Sequence, residues 1–248
     1  MLDLPWTTLL AAAAAVTVAC TVYGLTGFGA AIVAIPLLAQ FLPLRVAVPM
    51  LLLFDLVAGL LLGLKNRRSI DQPELLRLVP FLLLGMVAGV YLLARAPERW
   101  LLTVLGLFAM LYAVWNLLRR QATGLISHGW AAPAGLFGGA FTAMYGTGGP
   151  IYASYLARRV SDKDVLRASV AALIFGAGWV RLAMFTASGF YAQTGLLELA
   201  VMLVPAALLG YFMGSRLHAR LSGPQALKVV WLLILVAGIG LLWRVSTL

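Results

Sequence analysis

Tyr23-Gly24-Leu25-Thr26-Gly27-Phe28-Gly29-Ala30, leading into Pro36, and Tyr145-Gly146-Thr147-Gly148-Gly149-Pro150 are the two stretches that decide the fold. Each is a glycine cluster inside a long apolar run. Glycine and proline weaken or stop a helix, so the pattern predicts unwound backbone at both places. Hydrocarbon has no water to satisfy freed N–H and C=O groups. Irregular backbone at membrane depth is therefore tolerated only where protein buries it or a polar cavity adjoins it. Interrupted helices at corresponding positions of two halves point to a transport site. The competing reading is that the glycines only let helices approach closely.

Composition sets the surroundings. Of 248 residues, 63% are hydrophobic and 10% are charged, against about 25% charged in a soluble domain. Several apolar runs reach the roughly 20 residues that cross a bilayer. The chain reads as an all-α polytopic membrane protein with no appended soluble domain, and the lipid bilayer is its first partner. The net charge of +10 is not a nucleic-acid footprint, because the Lys and Arg residues cluster in short loops between apolar runs, where they set topology. Cys20 is the single cysteine, so no intrachain disulfide can form. Asp3 is the only charge before the first apolar run. A signal peptide would open with basic residues, so the N-terminal run is expected to be retained.

In order, residues 6–23 form a helix, the first break follows, and 29–41 form a second short helix. This hairpin is about 54 Å of helix, short of the roughly 60 Å of two crossings. Residues 46–64, 75–94 and 100–118 are full spans. A polar linker, 121–128, separates a first repeat, 1–120, from a second, 129–248. Residues 130–157 repeat the broken hairpin, 158–167 form a basic loop, and 168–190, 196–217 and 226–243 are three more spans.

The halves are related. At an offset of 125, Val79, Pro80, Leu83, Leu84, Gly85 and Gly89 match Val204, Pro205, Leu208, Leu209, Gly210 and Gly214, and Arg95 matches Arg220. At an offset of 122, Tyr23-Gly24 matches Tyr145-Gly146. The paired Pro, Gly, Arg and Tyr mark an internal repeat, which sets the architecture. With the Lys65–Arg68 loop inside, 13 basic residues fall inside and four outside, with Arg181 within a span. On that assignment the loop at Arg45 is outside and its counterpart at Arg167 inside. The expected fold is two inverted-topology repeats, each a re-entrant broken hairpin plus three transmembrane helices.

Two broken hairpins entering from opposite faces bring two helix N-termini, near Gly29 and Gly149, toward the bilayer centre. A helix N-terminus presents unpaired N–H groups and about half a positive charge, a ready anion site. Gly27, Gly29, Gly148 and Gly149 would let the ligand reach the backbone, with Phe28 beside them. Thr26 and Thr147 add hydroxyls, and Tyr23 and Tyr145 add phenols. Charged residues within spans are functional candidates by default. Asp55 and Arg181 lie about 15 and 20 Å deep. Either they pair structurally, or Asp55 carries a coupling proton and Arg181 contacts the anion.

The remaining polar residues point elsewhere. His128 and His218 read as loop or interfacial residues and not as metal ligands. Trp6, Trp100, Trp130 and Trp243 fall near span ends, as an aromatic belt does. No nucleotide-binding motif is present. The spans contain no His, and Cys20 has no evident activating base, so no enzyme site assembles. No cofactor is expected. A secondary carrier for a small anion leads, with a passive anion channel as the alternative. Oligomeric state is left open.

Gly24–Pro36 (GLTGFGAAIVAIP) and Gly146–Tyr155 (GTGGPIYASY) resemble the paired glycine-rich segments of the TauE/SafE family, also called sulfonate uptake permeases. Length and internal repeat match as well, so the resemblance covers essentially the whole chain. The first motif has Ala30 and Ala31 where a triple-glycine form continues, and the second has Pro150 in place of a further glycine. The resemblance implies an inner-membrane transporter of small sulfur-containing anions such as sulfite, thiosulfate or organosulfonates. It does not imply a direction.

Overall fold

A computed structural model describes residues 5–26, 30–63, 70–118, 126–193, 195–218 and 223–247. Among these residues every regular element is helical. The helices are α1 (Trp6–Thr26), α2 (Ala30–Leu38), α3 (Leu44–Gly63), α4 (Gln72–Arg95), α5 (Glu98–Leu118), α6 (Ala131–Tyr145), α7 (Gly149–Leu156), α8 (Lys163–Ala187), α9 (Leu196–His218) and α10 (Gly223–Thr247). Five segments combine spanning length with high hydropathy: Trp6–Gly24, Gln72–Arg95, Glu98–Leu118, Asp164–Ala187 and Leu196–Leu217. The polytopic all-α expectation therefore holds.

The second expected interruption separates α6 from α7, between Tyr145 and Gly149. The first is expected at residues 27–29, which lie outside the described residues between α1 and α2. The hairpins differ in length. At 21 residues, about 31 Å, α1 alone can cross a bilayer, whereas α6, at 15 residues, reaches about 22 Å. Neither α2, with nine residues, nor α7, with eight, can cross. The basic loop expected over 158–167 needs correction at its end, because α8 begins at Lys163. Asp162 is the cause. Its extended backbone and its carboxylate, accepting from the N–H groups of Asp164 and Val165, form an N-cap that starts the helix early. Lys65–Arg68, Arg119, Arg120 and Arg220 lie outside the described residues.

The chain divides into two compact units. One comprises Leu52–Arg95 and Gln121–Phe190. Here α4 packs along α6. Leu78, Leu82, Met86 and Leu93 form its buried stripe, while Leu76, Leu84, Val87 and Tyr91 are exposed. That is one apolar face toward protein and one toward lipid. Lipid tails are as apolar as leucine, so close packing must hold the pair together. Glycines supply it from both sides. A Cβ at Gly85 or Gly89 would overlap the α6 backbone at Leu136 or Ala140, and one at Gly139 would overlap Leu82 of α4.

The other unit comprises Met1–Leu51, Ala96–Arg120 and Tyr191–Leu248. In it α1 packs along α9, α5 along α10, and α2 against α1 and α10. Gly210 and Gly214 of α9 abut the backbone of Thr17 and Thr21. Thr17 Oγ1 also donates to Ala206 O at 3.2 Å. Gly85 and Gly89 thus seat α4 on the second-half hairpin, and their repeat partners Gly210 and Gly214 seat α9 on the first-half hairpin. Each packing unit draws on both halves of the sequence.

Candidate functional site

The second interruption shows how sequence makes a break. Gly146 ends α6 in the left-handed region at φ 70°, where a side chain is disfavoured. Its N–H donates to Thr142 O at 2.9 Å, and the Thr147 N–H reaches back to Phe141 O at 3.3 Å. After two non-helical residues, Gly149 opens α7 with Pro150 behind it, a position where proline's missing N–H is no loss. Gly148 is the tightest point. A Cβ there would overlap Gly138 O and Thr142 Oγ1, whereas one at Gly149 would sit 3.7 Å from its nearest neighbours, Ile174 Cδ1 and Tyr152 Oη. The two readings of the glycines therefore both apply, at different residues. Gly146 makes the turn, and Gly148 permits close approach.

Arg181 from α8 closes this arrangement. It is 4% exposed. Its Nη1 donates to Thr142 O at 2.9 Å, and its guanidinium carbon lies 5.4 Å from the Phe185 ring centroid. A cation is thereby placed on the C-terminal carbonyls of α6, the negative end of that helix dipole. Asp55, half-buried on α3, is within electrostatic range of Arg181. Tyr152, buried in the first turn of α7, lies near Thr142, Arg181 and Asp55. Thr147 Oγ1 is nevertheless buried without a partner, and Thr142 Oγ1 meets only the Tyr152 phenol. Buried polar atoms are nearly always satisfied, so an unsatisfied hydroxyl beside a helix N-terminus calls for an explanation. Tyr145 is fully buried, its ring 5.6 Å from that of Phe141.

At the end of α1 Tyr23 is half-buried in the last turn, and Thr26 is the last residue of that helix. Gly24 meets α9, where a Cβ would lie 2.6 Å from Tyr211 O, so its role is packing. Gly27, Phe28 and Gly29 lie outside the described residues. Of the expected site residues, the structure brings Thr147, Gly148, Gly149, Arg181 and Asp55 to one break, and it adds Thr142 and Tyr152. Sequence carried a faint signal for both additions: Thr142 is one turn before Gly146, and Tyr152 one turn after Gly148.

A second polar cluster was not foreseen. Glu74, buried in the first turn of α4, accepts from Tyr155 Oη at 2.7 Å. It also accepts from Arg159 Nε and Nη2 at 3.1 and 3.0 Å, and from Arg77 Nη1 at 3.1 Å. His128 Nδ1 lies 3.2 Å from the same carboxylate. From sequence His128 reads as a loop or interfacial residue and Arg159 as a topology charge. The cluster joins three segments far apart in sequence and ties the end of α7 to α4.

Comparison with known proteins extends these findings. A probable inner membrane transporter protein TsaS of Comamonas testosteroni is 26% identical over 200 residues, which is 79% of this chain and 83% of that protein. No solved structure matches the chain. The model of the family described as sulfite exporter TauE/SafE matches residues 11–241. A match over nearly the whole length, on a chain built of apolar spanning helices, establishes that this multi-pass membrane protein belongs to the TauE/SafE family.

Proposed function

We propose that the chain is an inner-membrane secondary carrier for small sulfur-containing anions (sulfite, thiosulfate or organosulfonates), working by alternating access and coupled to protons. One observation carries the site: the Thr147 hydroxyl is buried without a partner, and that of Thr142 meets only the Tyr152 phenol, where α7 begins and Arg181 is buried. An oxyanion accepts hydrogen bonds from hydroxyls and from the first N–H groups of a helix, and it is attracted by the guanidinium. The family supports the substrate class, and the relative's name supports the membrane. In this reading Gly149 exposes the backbone to the anion, Gly148 seats the break closely against α6 so that Thr142 reaches it, and Tyr145 borders the site. Tyr23, Thr26, Gly27, Phe28 and Gly29 form its counterpart at the other break, in a repeat of opposite topology.

Asp55 is the coupling carboxylate. A membrane-embedded acid beside a buried arginine can take up a proton and so change the charge that Arg181 presents to the anion. The test is flux into proteoliposomes with sulfite, thiosulfate and sulfoacetate, with and without a pH gradient. Wild-type flux saturates with substrate and responds to the gradient. Asp55→Asn retains anion exchange at equal pH but loses the response to the gradient. A full response in Asp55→Asn would remove the coupling role. Flux linear in concentration would make the protein a channel.

A further inference from the structure

The Glu74 cluster has charge left over. One carboxylate faces two guanidiniums, Arg77 and Arg159, and both also crowd the imidazole of His128. Arg77 Nη1 lies 2.6 Å from Nδ1, and Arg159 Nη2 lies 2.9 Å from Nε2. Tyr155 donates a further hydrogen bond to Glu74. The Arg159 side chain is 17% exposed and committed to Glu74 and to Ile126 O, at 3.0 Å. The Arg77 and His128 side chains are 48% and 54% exposed. The surplus positive charge therefore faces outward through Arg77, with the His128 imidazole beside it.

Those two residues border a recess of about 410 Å³ whose other walls are Leu76, Pro80, Phe81, Gly129, Ala131 and Ala132. Its floor is apolar and its rim is basic. It lies between α4 and α6, whose large exposed apolar residues Leu84, Val87 and Phe137 continue the same surface along the helices. Trp130, exposed next to the recess, is placed as an interfacial anchor would be. A soluble anion would find the rim suitable but would leave the apolar floor uncovered. A protein partner would have to displace lipid that already covers these helix faces. An anionic phospholipid matches both parts.

We infer that this recess binds an anionic phospholipid, its phosphate held by Arg77 and His128 and an acyl chain lying on Pro80, Phe81 and the exposed face of α4. Glu74 fixes the site by holding Arg77 and Arg159, and it repels any second anion. Basic pockets between transmembrane helices recognise lipid headgroups in this way, each basic residue near the surface contributing about fivefold in affinity. The site is separate from the break at Gly146–Gly149 and does not depend on the transported substrate.

The full-length protein is equilibrated in mixed micelles of equal phosphatidylglycerol and phosphatidylcholine, and bound lipid is counted by native mass spectrometry. Wild type retains phosphatidylglycerol over phosphatidylcholine by about fivefold or more. Arg77→Ala with His128→Ala brings the ratio near unity, and Arg77→Lys keeps most of the preference. A thermal melt of each variant identifies misfolding, and Arg77→Gln with His128→Gln, also expected to bring the ratio near unity, is the milder replacement if the double alanine fails to fold. Millimolar inorganic phosphate leaves the bound lipid in place. A phosphatidylglycerol preference equal in wild type and the folded variant lacking both Arg77 and His128 would overturn the inference. So would displacement of the lipid by inorganic phosphate, which would make the rim a simple anion site.

Discussion

Arg181→Ala is expected to abolish saturable anion flux and to lower thermal stability in the same protein. Two separate causes produce the two effects. In the folded chain Arg181 is buried and donates to Thr142 O. Loss of a hydrogen bond involving a charged group weakens the fold by about 1.5–3 kcal/mol. Removal also leaves Asp55 without its nearby positive charge. Stranding a buried charge in this way is strongly destabilising, by about 3–5 kcal/mol where the pair is fully buried; Asp55 is half-buried, so the lower end applies. The anion loses its charged partner as well. Truncating one side of a buried charge pair weakens binding by about 2–5 kcal/mol, or roughly 30-fold and more.

Arg181→Lys separates the contributions. It keeps the charge but loses the planar fork, so binding falls less than in Arg181→Ala. Exchanging the two charges, with Asp55→Arg and Arg181→Asp, gives a third result. If the residues served only each other, exchange would restore function. Thr142 O requires a donor from the position of residue 181, and a carboxylate cannot donate when ionised, so no rescue is expected. Melting temperature and substrate flux, measured on all variants, check this. Full rescue by the exchange would reduce Arg181 to a structural ion pair.

Gly148→Ala is expected to be the most damaging of the small substitutions. The added methyl overlaps Gly138 O, a backbone atom that no rotamer change can move, and Thr142 Oγ1. Relief requires α6 and α7 to separate at the break. Overpacking in a well-packed interior is destabilising by about 1–3 kcal/mol, and backbone overlap lies at or beyond the upper end. Thr142→Ala removes one of the two overlaps and leaves the other, so it does not rescue. Gly149→Ala is the internal control. Its Cβ falls at ordinary contact distance, so the variant melts as wild type does. Comparable melting temperatures for the two alanine variants would mean that the break is wider than the structure has it.

How much could be read from sequence follows from the range of each interaction. The break between α6 and α7 was legible because a left-handed residue such as Gly146 and a proline such as Pro150 carry their conformation locally. The spans were legible because lipid demands long apolar runs. The repeat marked Gly85, Gly89, Gly210 and Gly214 as equivalent, but it did not say what they touch. That α4 seats on α6, and α9 on α1, depends on which helices meet, and no local signal encodes it. Thr142 and Tyr152 were missed for the same reason: they matter only because α6 and α7 fold against each other at Gly148. Glu74 gathers Arg77, His128, Tyr155 and Arg159 from three segments, so its importance shows only in three dimensions. The early start of α8 was the exception. Asp162 is a helix-capping residue, and its signal is as local as those of Gly146 and Pro150.

The central claim is that the unwound backbone at Gly146–Gly149 receives the transported anion. Equilibrium binding of radiolabelled thiosulfate and sulfite to purified Gly149→Leu, beside wild type, tests it most directly. The Cβ at this position fits, and a side chain in the first turn leans toward the N-terminus of α7, where it covers the helix end. The account predicts that the protein, shown by its melt to be folded, binds both anions more weakly by about tenfold or more, the loss of one charge-assisted hydrogen bond. A folded Gly149→Leu protein that binds both anions as tightly as wild type would contradict it.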